Sequence, residues 1–555
     1  MKSFYSIIFL VVFLTTSAAA QFQNSYGTGS PDYGLSLDFT RFDKGYIQAG
    51  FTAENFFGGG DATLIKTDDV GNQQWAGVYG GQEPDLFYSV RYQEPGKDLP
   101  VYVATGYTNS FGFGSSDVYL VGTDVDGIPL FSSVFGGKNR DNGNCIQPIR
   151  DREFGPGLVI VGETLSFPEL FPGNNVYVIK TDPFGNLVQS VVIGGDGNQR
   201  GLWIEQTKDG GFIIAGSTTQ SCTFDPTSRG REDILIIRLR PDLSVAWSRT
   251  FGSFEFNDSD VAYSIIENED GSFTATGVTR SFGINNSQDA FLLNLDAGGG
   301  LNWFKTYGLE NVEVGLSLKS HRDEAGRLFY TVLGYRYEPT SLTWYDAYMF
   351  RTDQAGNLQW TRRYGLEGLD IGYELTKNVD PGFAFTGYTT SLGTGNPDFY
   401  LVKTDINGKS STLCEREIEQ REIRHEPCIT KGLQFVYVDP WEPIDPIFER
   451  IEYKEDQCPV AGVGAVQPAA PTEEELSVFP NPGQEVLNLS LAEKYESAEV
   501  VLLQATTNTA VLKSKITGSQ NLSLDIKDIP KGMYIIQVTT NDGEVIKKRF
   551  FKDED

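Results

Sequence analysis

The sequence predicts an all-β chain built by repetition of one small unit, and three observations carry that expectation. Gly 61 and aromatic 13% is a mixture that supplies turns and strand-facing rings, not helix faces. A strand ending in Gly, and often Thr, recurs seven times, at Gly50, Gly106, Gly162, Gly216, Gly277, Gly334 and Gly387. Successive differences are 56, 56, 54, 61, 57 and 53, a period in the range of propeller blades. One strand stands alone before the first repeat, and the last repeat lacks one. A prior of about 150 residues per domain divides the 555 residues into three or four domains. The repeat overrules that division.

The first twenty residues read as an export signal. Lys2 supplies a positive start, Ile7 to Leu14 an apolar run, and Ala18 to Ala20 a small-residue cleavage site before Gln21. The run is too short to span a hydrocarbon core of roughly 30 Å. No Cys follows the cleavage site, and no later segment is apolar enough to span a membrane. The mature chain is expected to be exported and soluble, with no transmembrane segment.

Each repeat holds four short strands. Strand A is exemplified by Asp85 to Val90, and strand B is the Gly-Thr strand. Strand C opens at Asp61, Asp117, Asn175, Asp233, Asp289, Asp346 or Asp398. A turn such as Asp68 to Asn72 follows, its Gly suited to positive φ. Strand D carries Trp75, Trp247, Trp303 or Trp360 and ends in Tyr-Gly or Phe-Gly. Four strands in about 55 residues make a propeller blade, whose radial packing protects the sheet edges. Gln21 to Gly27 aligns with Gln74 to Gly80 as an orphan D strand, while the seventh repeat reaches Gly408 without its Trp. Residues 21–412 therefore read as a seven-bladed β-propeller whose N-terminal strand closes the last blade.

Charge and histidine content exclude several functions. With 45 Lys+Arg against 74 Asp+Glu, the net charge of −29 repels nucleic acid. His321 and His425 are the only histidines, 104 positions apart, which argues against a His-rich metal site or a Ser-His-Asp arrangement. No Gly-x-Ser-x-Gly elbow stands on a strand-to-helix turn. Asp124-Val-Asp126-Gly127 resembles half a calcium loop without the closing Glu, and reads as a hairpin. The hairpins Thr67 to Trp75 and Thr352 to Trp360 read as structural.

At the start of each A strand, near one channel mouth, stand Asp32, Asp85, Asp141, Gln199, Asp260, Glu313 and Asp370. One reading is an acidic collar that takes Ca2+ or hydrogen-bonds sugar hydroxyls. The other is that each caps its own loop, as Asx turns do. The B–C loops, such as Ser110 to Ser116, Ser166 to Pro172, Gln220 to Pro226 and Tyr335 to Thr340, face the same mouth with aromatic tips.

Residues 413–474 break the repeat and read as a linker, acidic and Pro-rich, with the strand-like stretch Leu433 to Val438 placed against blade seven. Cys414, Cys428 and Cys458 lie there, and one disulfide among them is expected, its pairing open. Cys145 and Cys222 read as buried hydrophobes. From 475 to 555, alternating apolar positions in several short strands suggest a small β-sandwich.

This last stretch resembles the type A C-terminal sorting domain of the type IX secretion system of Bacteroidetes. The matching features are Phe479-Pro480-Asn481-Pro482, Gly532-Met533-Tyr534-Ile535-Ile536 and the basic-aromatic end Lys547 to Lys552. The propeller repeats are also similar to those of large secreted Bacteroidetes proteins. The resemblance implies a cargo handled by that secretion machinery and released or attached to the surface, with the sorting domain removed. The expected function is a secreted or cell-surface binding or adhesion module for glycan or protein, without a cofactor. The alternative is an extracellular glycosidase or polysaccharide lyase using carboxylates or tyrosines of the mouth.

Overall fold

A computed structural model describes residues 21–552 except 55, 94–100, 152–154, 196, 220–231, 253–258, 284, 286, 310, 324, 338–344, 379, 419, 426–427, 431–433, 439–440, 445–447, 452–453, 458–475, 480–485, 492–496, 505–509, 518–520, 531 and 541–544. The chain forms two compact units, residues 1–464 and 465–555. Strands occur throughout both units, and no α-helix occurs among the described residues.

The first unit is a propeller-like ring of seven antiparallel sheets. Their A strands are Asp32–Phe39, Asp85–Tyr92, Asp141–Asp151, Gln199–Gln206, Asp260–Glu267, Glu313–Arg322 and Asp370–Lys377. In each sheet A pairs with B, B with C and C with D. The A strands of neighbouring sheets contact one another all the way round, and Asp32–Phe39 of the first meets Asp370–Lys377 of the seventh. Strand C is buried along most of its length, as in Asp61–Thr67 and Asp233–Leu239. That is why it reads as a near-continuous apolar run and not as an alternation. Phe22–Gly27 supplies the missing D strand of the seventh sheet, with Phe22 opposite Lys403 and Tyr26 opposite Phe399.

Neighbouring sheets interlock through the residues that mark the repeat. The D-strand aromatic lies on the glycine of the next C–D turn. A Cβ on Gly127, Gly299, Gly356 or Gly408 would come within 2.6–3.0 Å of Trp75, Trp247, Trp303 or Trp360. These glycines also have φ of 73–80°, a conformation that side chains resist. Phe22 covers Gly71 in the same way. In the third sheet the Trp position holds Gln189, and the next turn carries Leu243 at φ 63° where its relatives have Gly. The final D-strand tyrosine adds a polar tie: Tyr79, Tyr307 and Tyr364 donate to the carbonyls of Gly127, Gly356 and Gly408 at 2.7, 2.6 and 2.5 Å. Thr67 to Trp75 and Thr352 to Trp360 thus fasten one sheet to the next.

The segment expected to be a linker is corrected over most of its length. Residues 415–457 run once around the ring and add a fifth strand to every sheet. Glu415–Glu417 pairs with the sixth sheet, Arg421–His425 with the fifth, Cys428–Thr430 with the fourth and Gln434–Val438 with the third. Trp441–Ile444, Phe448–Ile451 and Lys454–Gln457 then reach the second, first and seventh. The stretch at 434–438 therefore lies on the third sheet, not the seventh. Strands of three to five residues on an outer edge need no apolar alternation, so periodicity did not reveal them.

In the second unit, Leu476–Phe479, Val486–Leu491 and Asn521–Asp525 form one sheet, and four strands between Ser497 and Lys552 form another. Leu487, Leu489, Val500, Leu502, Leu524, Tyr534, Ile536 and Val538 form a core among its described residues.

Candidate functional site

The seven expected collar residues stand at the first position of the A strands, and they are only 0–2% exposed. The described contacts turn to the adjoining loops and to the ends of the B strands. Asp32 accepts from Thr28 N and Oγ1 at 2.7 and 2.9 Å, and Asp85 from Gly81 N and Ser110 Oγ, both at 2.8 Å. Asp141 accepts from Gly137 N and Ser166 Oγ at 2.8 and 2.6 Å. Asp260 takes Thr279 and Ser281 hydroxyls at 2.6 and 2.5 Å, and Asp370 takes Ser391 at 2.8 Å. Glu313 accepts from Leu309 N at 3.4 Å, and Gln199 reaches Thr218 at 3.4 Å. Burial outweighs these bonds and pushes Asp32 and Asp370 up to about 7, with Asp85, Asp141 and Asp260 also raised. The C-strand residue of the preceding sheet lies alongside: the charge of Asp398 raises Asp32, and that of Asp346 raises Asp370. At the junction of the third and fourth sheets, both positions are amides, Asn175 and Gln199.

The surface of the mouth is made by other residues. A β-bulge interrupts every A strand after its third residue, as at Gly34/Ser36 and Gly372/Glu374. The extra fourth residue is left without a partner opposite and is re-aimed by the bulge. These seven are Leu35, Tyr88, Asn144, Leu202, Tyr263, Leu316 and Tyr373, all half-buried. Aromatic rings from neighbouring strands join them. Tyr33 lies 4.7 Å from Phe51 and 4.8 Å from Tyr388, whose ring is 5.9 Å from Tyr373. Tyr335 and Tyr337 pack on Tyr345 at 5.5 and 5.4 Å, and Tyr88 on Tyr107 at 5.9 Å.

The third and fourth sheets break this aromatic band with a polar wall. Glu163 accepts from Asn142 at 3.1 Å and Asn174 at 2.5 Å, with Arg140 at 3.6 Å. Arg200 meets Glu232 at 2.5 Å and Ser217 at 3.2 Å. Tyr88 feels the charges of Glu163 and Arg140, and Tyr263 those of Arg200 and Glu232, so the band and the wall meet at both ends. Burial pushes Tyr88 up to about 12 and raises Tyr335 and Tyr373 as well. These phenols stay protonated near neutral pH.

Below the bulges the centre of the ring is filled. Side chains from sheets that are not neighbours meet there, which is geometrically open to them only across the middle. Arg91 of the second sheet reaches Glu374 of the seventh at 2.7 Å and lies 5.2 Å from the ring of Trp203 in the fourth. Lys319 of the sixth sheet lies 5.1 Å from the same indole. Four of the residues after the bulges tie the tier together by accepting the next A strand's N–H: Val90 to Ser36 at 2.9 Å, Ile146 to Ser89 at 3.2 Å, Leu375 to Ser317 at 3.1 Å and Leu37 to Glu374 at 3.2 Å.

His321 sits at the far end of its A strand between Phe329 and Phe383, where burial lowers it to about 4. Asp124 caps its hairpin through Asp126 N and Ile128 N at 3.0 and 2.9 Å. Of the loop tips, Phe113 is exposed while Phe171 is buried. Gln220 to Pro226 and residues 338–340 of the loop Tyr335 to Thr340 lie outside the described residues. Cys145 is free and buried, and Cys414 is disulfide-bonded. Cys222, Cys458 and the Cys428 side chain lie outside the description, as do Ala20, Pro480, Asn481 and Pro482. Tyr534 is buried and donates to Pro530 O at 2.6 Å, and the backbones of Gly532 and Gln537 pair with Lys552 and Lys547. The aromatic band, polar wall and central plug are absent from the expected site. Aligning the repeats and reading the third residue after each collar position would have shown the band.

Residues 477–552 match the family described as the secretion system C-terminal sorting domain. The chain is a type IX secretion cargo, delivered outside the cell or to its surface. No curated protein matches the chain. Among solved structures, the extracellular domain of a one-component system from B. thetaiotaomicron is 12% identical, over 94% of this chain and 67% of that one, with a TM-score of 0.19. A GH43_12 protein from a capybara gut metagenome is 12% identical over 73% of this chain and 88% of its own, with a TM-score of 0.26. The tetra-tandem repeat of a large adhesion protein is 13% identical over 94% and 99%, with a TM-score of 0.12. At such TM-scores none of the three bears on function.

Proposed function

We propose that this protein is a secreted or surface-held glycan-binding module: a closed seven-bladed β-propeller carried out of the cell by a C-terminal β-sandwich. The single observation that supports binding is the half-buried tyrosine band facing an Arg/Glu/Asn wall in one mouth. Sugar rings present an apolar face and a rim of hydroxyls. Aromatic side chains suit the first, and convergent charged and amide groups suit the second. The raised phenols of Tyr88, Tyr335 and Tyr373 favour binding over lyase chemistry, which needs a base poised near the working pH. In this reading residues 1–20 are the export signal, cut between Ala20 and Gln21, residues 21–457 are the ring with its belt, and 475–555 are the address domain. The collar carboxyls then act as loop caps that hold the mouth's shape.

A glycan array combined with an activity screen on polysaccharides tests this. Binding without turnover is the expected result. Depolymerisation replaces the module with an enzyme, and blanks in both replace it with a structural surface protein.

A further inference from the structure

Resting on the glycan reading, we infer that the mouth takes the terminal residues of a neutral glycan chain, not an internal stretch and not an acidic polysaccharide.

The first argument is depth. The bulge residues stand at the fourth position of the A strands. At about 3.3 Å per residue they lie about 10 Å below the strand starts. The described D–A and B–C loops of the seventh sheet, residues 365–369 and 390–397, continue outward from its strand starts, so a chain lying across the rim there passes above Tyr373. Only a descending chain reaches it.

The second argument is the closed floor. A chain that descends cannot leave on the other side, because Trp203 lies between Arg91 and Lys319 and Glu374 pairs with Arg91. Trp203 is 7% exposed and Glu374 5%, so this tier is packed and not a wet constriction. A recess with one entrance and a packed floor admits an end.

The third argument is charge. Each guanidinium of the polar wall already has a carboxylate of its own: Arg140 has Glu163 and Arg200 has Glu232. A uronate or sulfate entering the recess would have to displace a partner already in place, and would meet a chain of net charge −29. Hydroxyls, which donate and accept, fit such paired groups without displacing them.

The test uses the full mature protein on an array of neutral and acidic oligosaccharides. Each structure is displayed twice, with its non-reducing end free and with both ends blocked by cyclisation or capping. Binding confined to neutral probes with a free end is expected, with blocked forms at least tenfold weaker. Equal binding of blocked and free forms overturns end recognition but leaves the glycan reading standing. Preference for acidic probes overturns the neutral assignment. No binding anywhere overturns the glycan reading itself. Tyr388→Ala is expected to weaken a bound neutral probe about tenfold at unchanged melting temperature. Undiminished binding by a folded Tyr388→Ala protein removes the recess as the site.

Discussion

Arg91 and Glu374 form an ion pair at 2.7 Å although an entire sheet separates the two that carry them. Both side chains are almost fully buried, and Ser36 of the intervening sheet binds the same carboxylate at 2.5 Å. The contact joins the second, first and seventh sheets at the one place where they converge.

Removing one member of this pair leaves a buried charge without its partner, which in proteins costs about 3–5 kcal/mol. Glu374→Ala is therefore expected to lower the melting temperature sharply, as followed by calorimetry. Arg91→Ala combined with Glu374→Ala is expected to recover part of the loss, because no charge is then stranded. A double variant as unstable as the sum of the two singles would contradict the coupling.

Gly356 shows why turn glycine and strand tryptophan occur together. An added methyl would stand 3.0 Å from Trp303 and 2.9 Å from the Tyr307 hydroxyl, on a backbone at φ 77°. Gly356→Ala is expected to destabilise the ring by about 1–3 kcal/mol. Gly326→Ala is a useful control, since its φ is 78° but nothing stands within 4 Å of the new methyl. Denaturant melts separate conformational strain from collision with the indole.

Asp370 titrates near 7 in the folded chain against an ordinary 3.8, chiefly through burial. The folded state then holds a proton that the unfolded state has released, so stability falls as pH rises from about 4 to about 7. Its contribution is complete below the unfolded value and gone above the folded one. Asp370→Asn is expected to flatten part of that slope in melts at pH 5 and pH 8. Gln199 already occupies the equivalent position as an amide, so the neutral side chain suits this fold.

The partner of Cys414 is expected to be Cys458. Gln457 pairs with Asn24, and the neighbouring Gln23 side chain donates to Ser410 and Thr412 at 2.8 and 2.6 Å, four and two residues before Cys414. Cys428 instead follows the backbone of the fourth sheet, opposite Gly252. Non-reducing peptide mapping should return a 414–458 cross-link, with Cys145 alkylated only after unfolding. A link from Cys414 to Cys222 or Cys428 would exclude this pairing.

Truncation after residue 475 removes the matched sorting domain and leaves the ring with its belt. Cell fractionation is expected to find the shortened protein in the periplasm. Normal release would show that the domain is dispensable for crossing the outer membrane.

The repeat was legible because its markers have local causes. The collar residue caps a loop, the turn glycine sits under an indole, and the B-strand glycine lies against a neighbouring backbone. Most copies meet these needs, so the markers recur, with Gln189 at the Trp position and Leu243 in the following turn as the exception. The plug was not legible, because Arg91, Trp203, Lys319 and Glu374 come from four copies and are chemically unlike one another. The bulge was hidden for another reason: it is a jump in pairing register, which leaves no composition signal. The belt was hidden because Glu415–Glu417 and Lys454–Gln457 are charged edge strands whose partners are 51 and 433 residues distant, counted from Tyr364 to Glu415 and from Asn24 to Gln457.

Those separations set an order of events. The belt's first pairing closes the shortest span, and every later one reaches further back along the chain. Because the entropy cost of closing a loop grows only as the logarithm of its length, each pairing after the first adds little to the cost of the one before. In a chain made from its N-terminus, residue 457 emerges only after all seven inner sheets have passed. The outer edges thus stay open to other strands for most of that passage. They are covered in a single sweep, from the sixth sheet back round to the seventh, shortly before the sorting domain itself arrives.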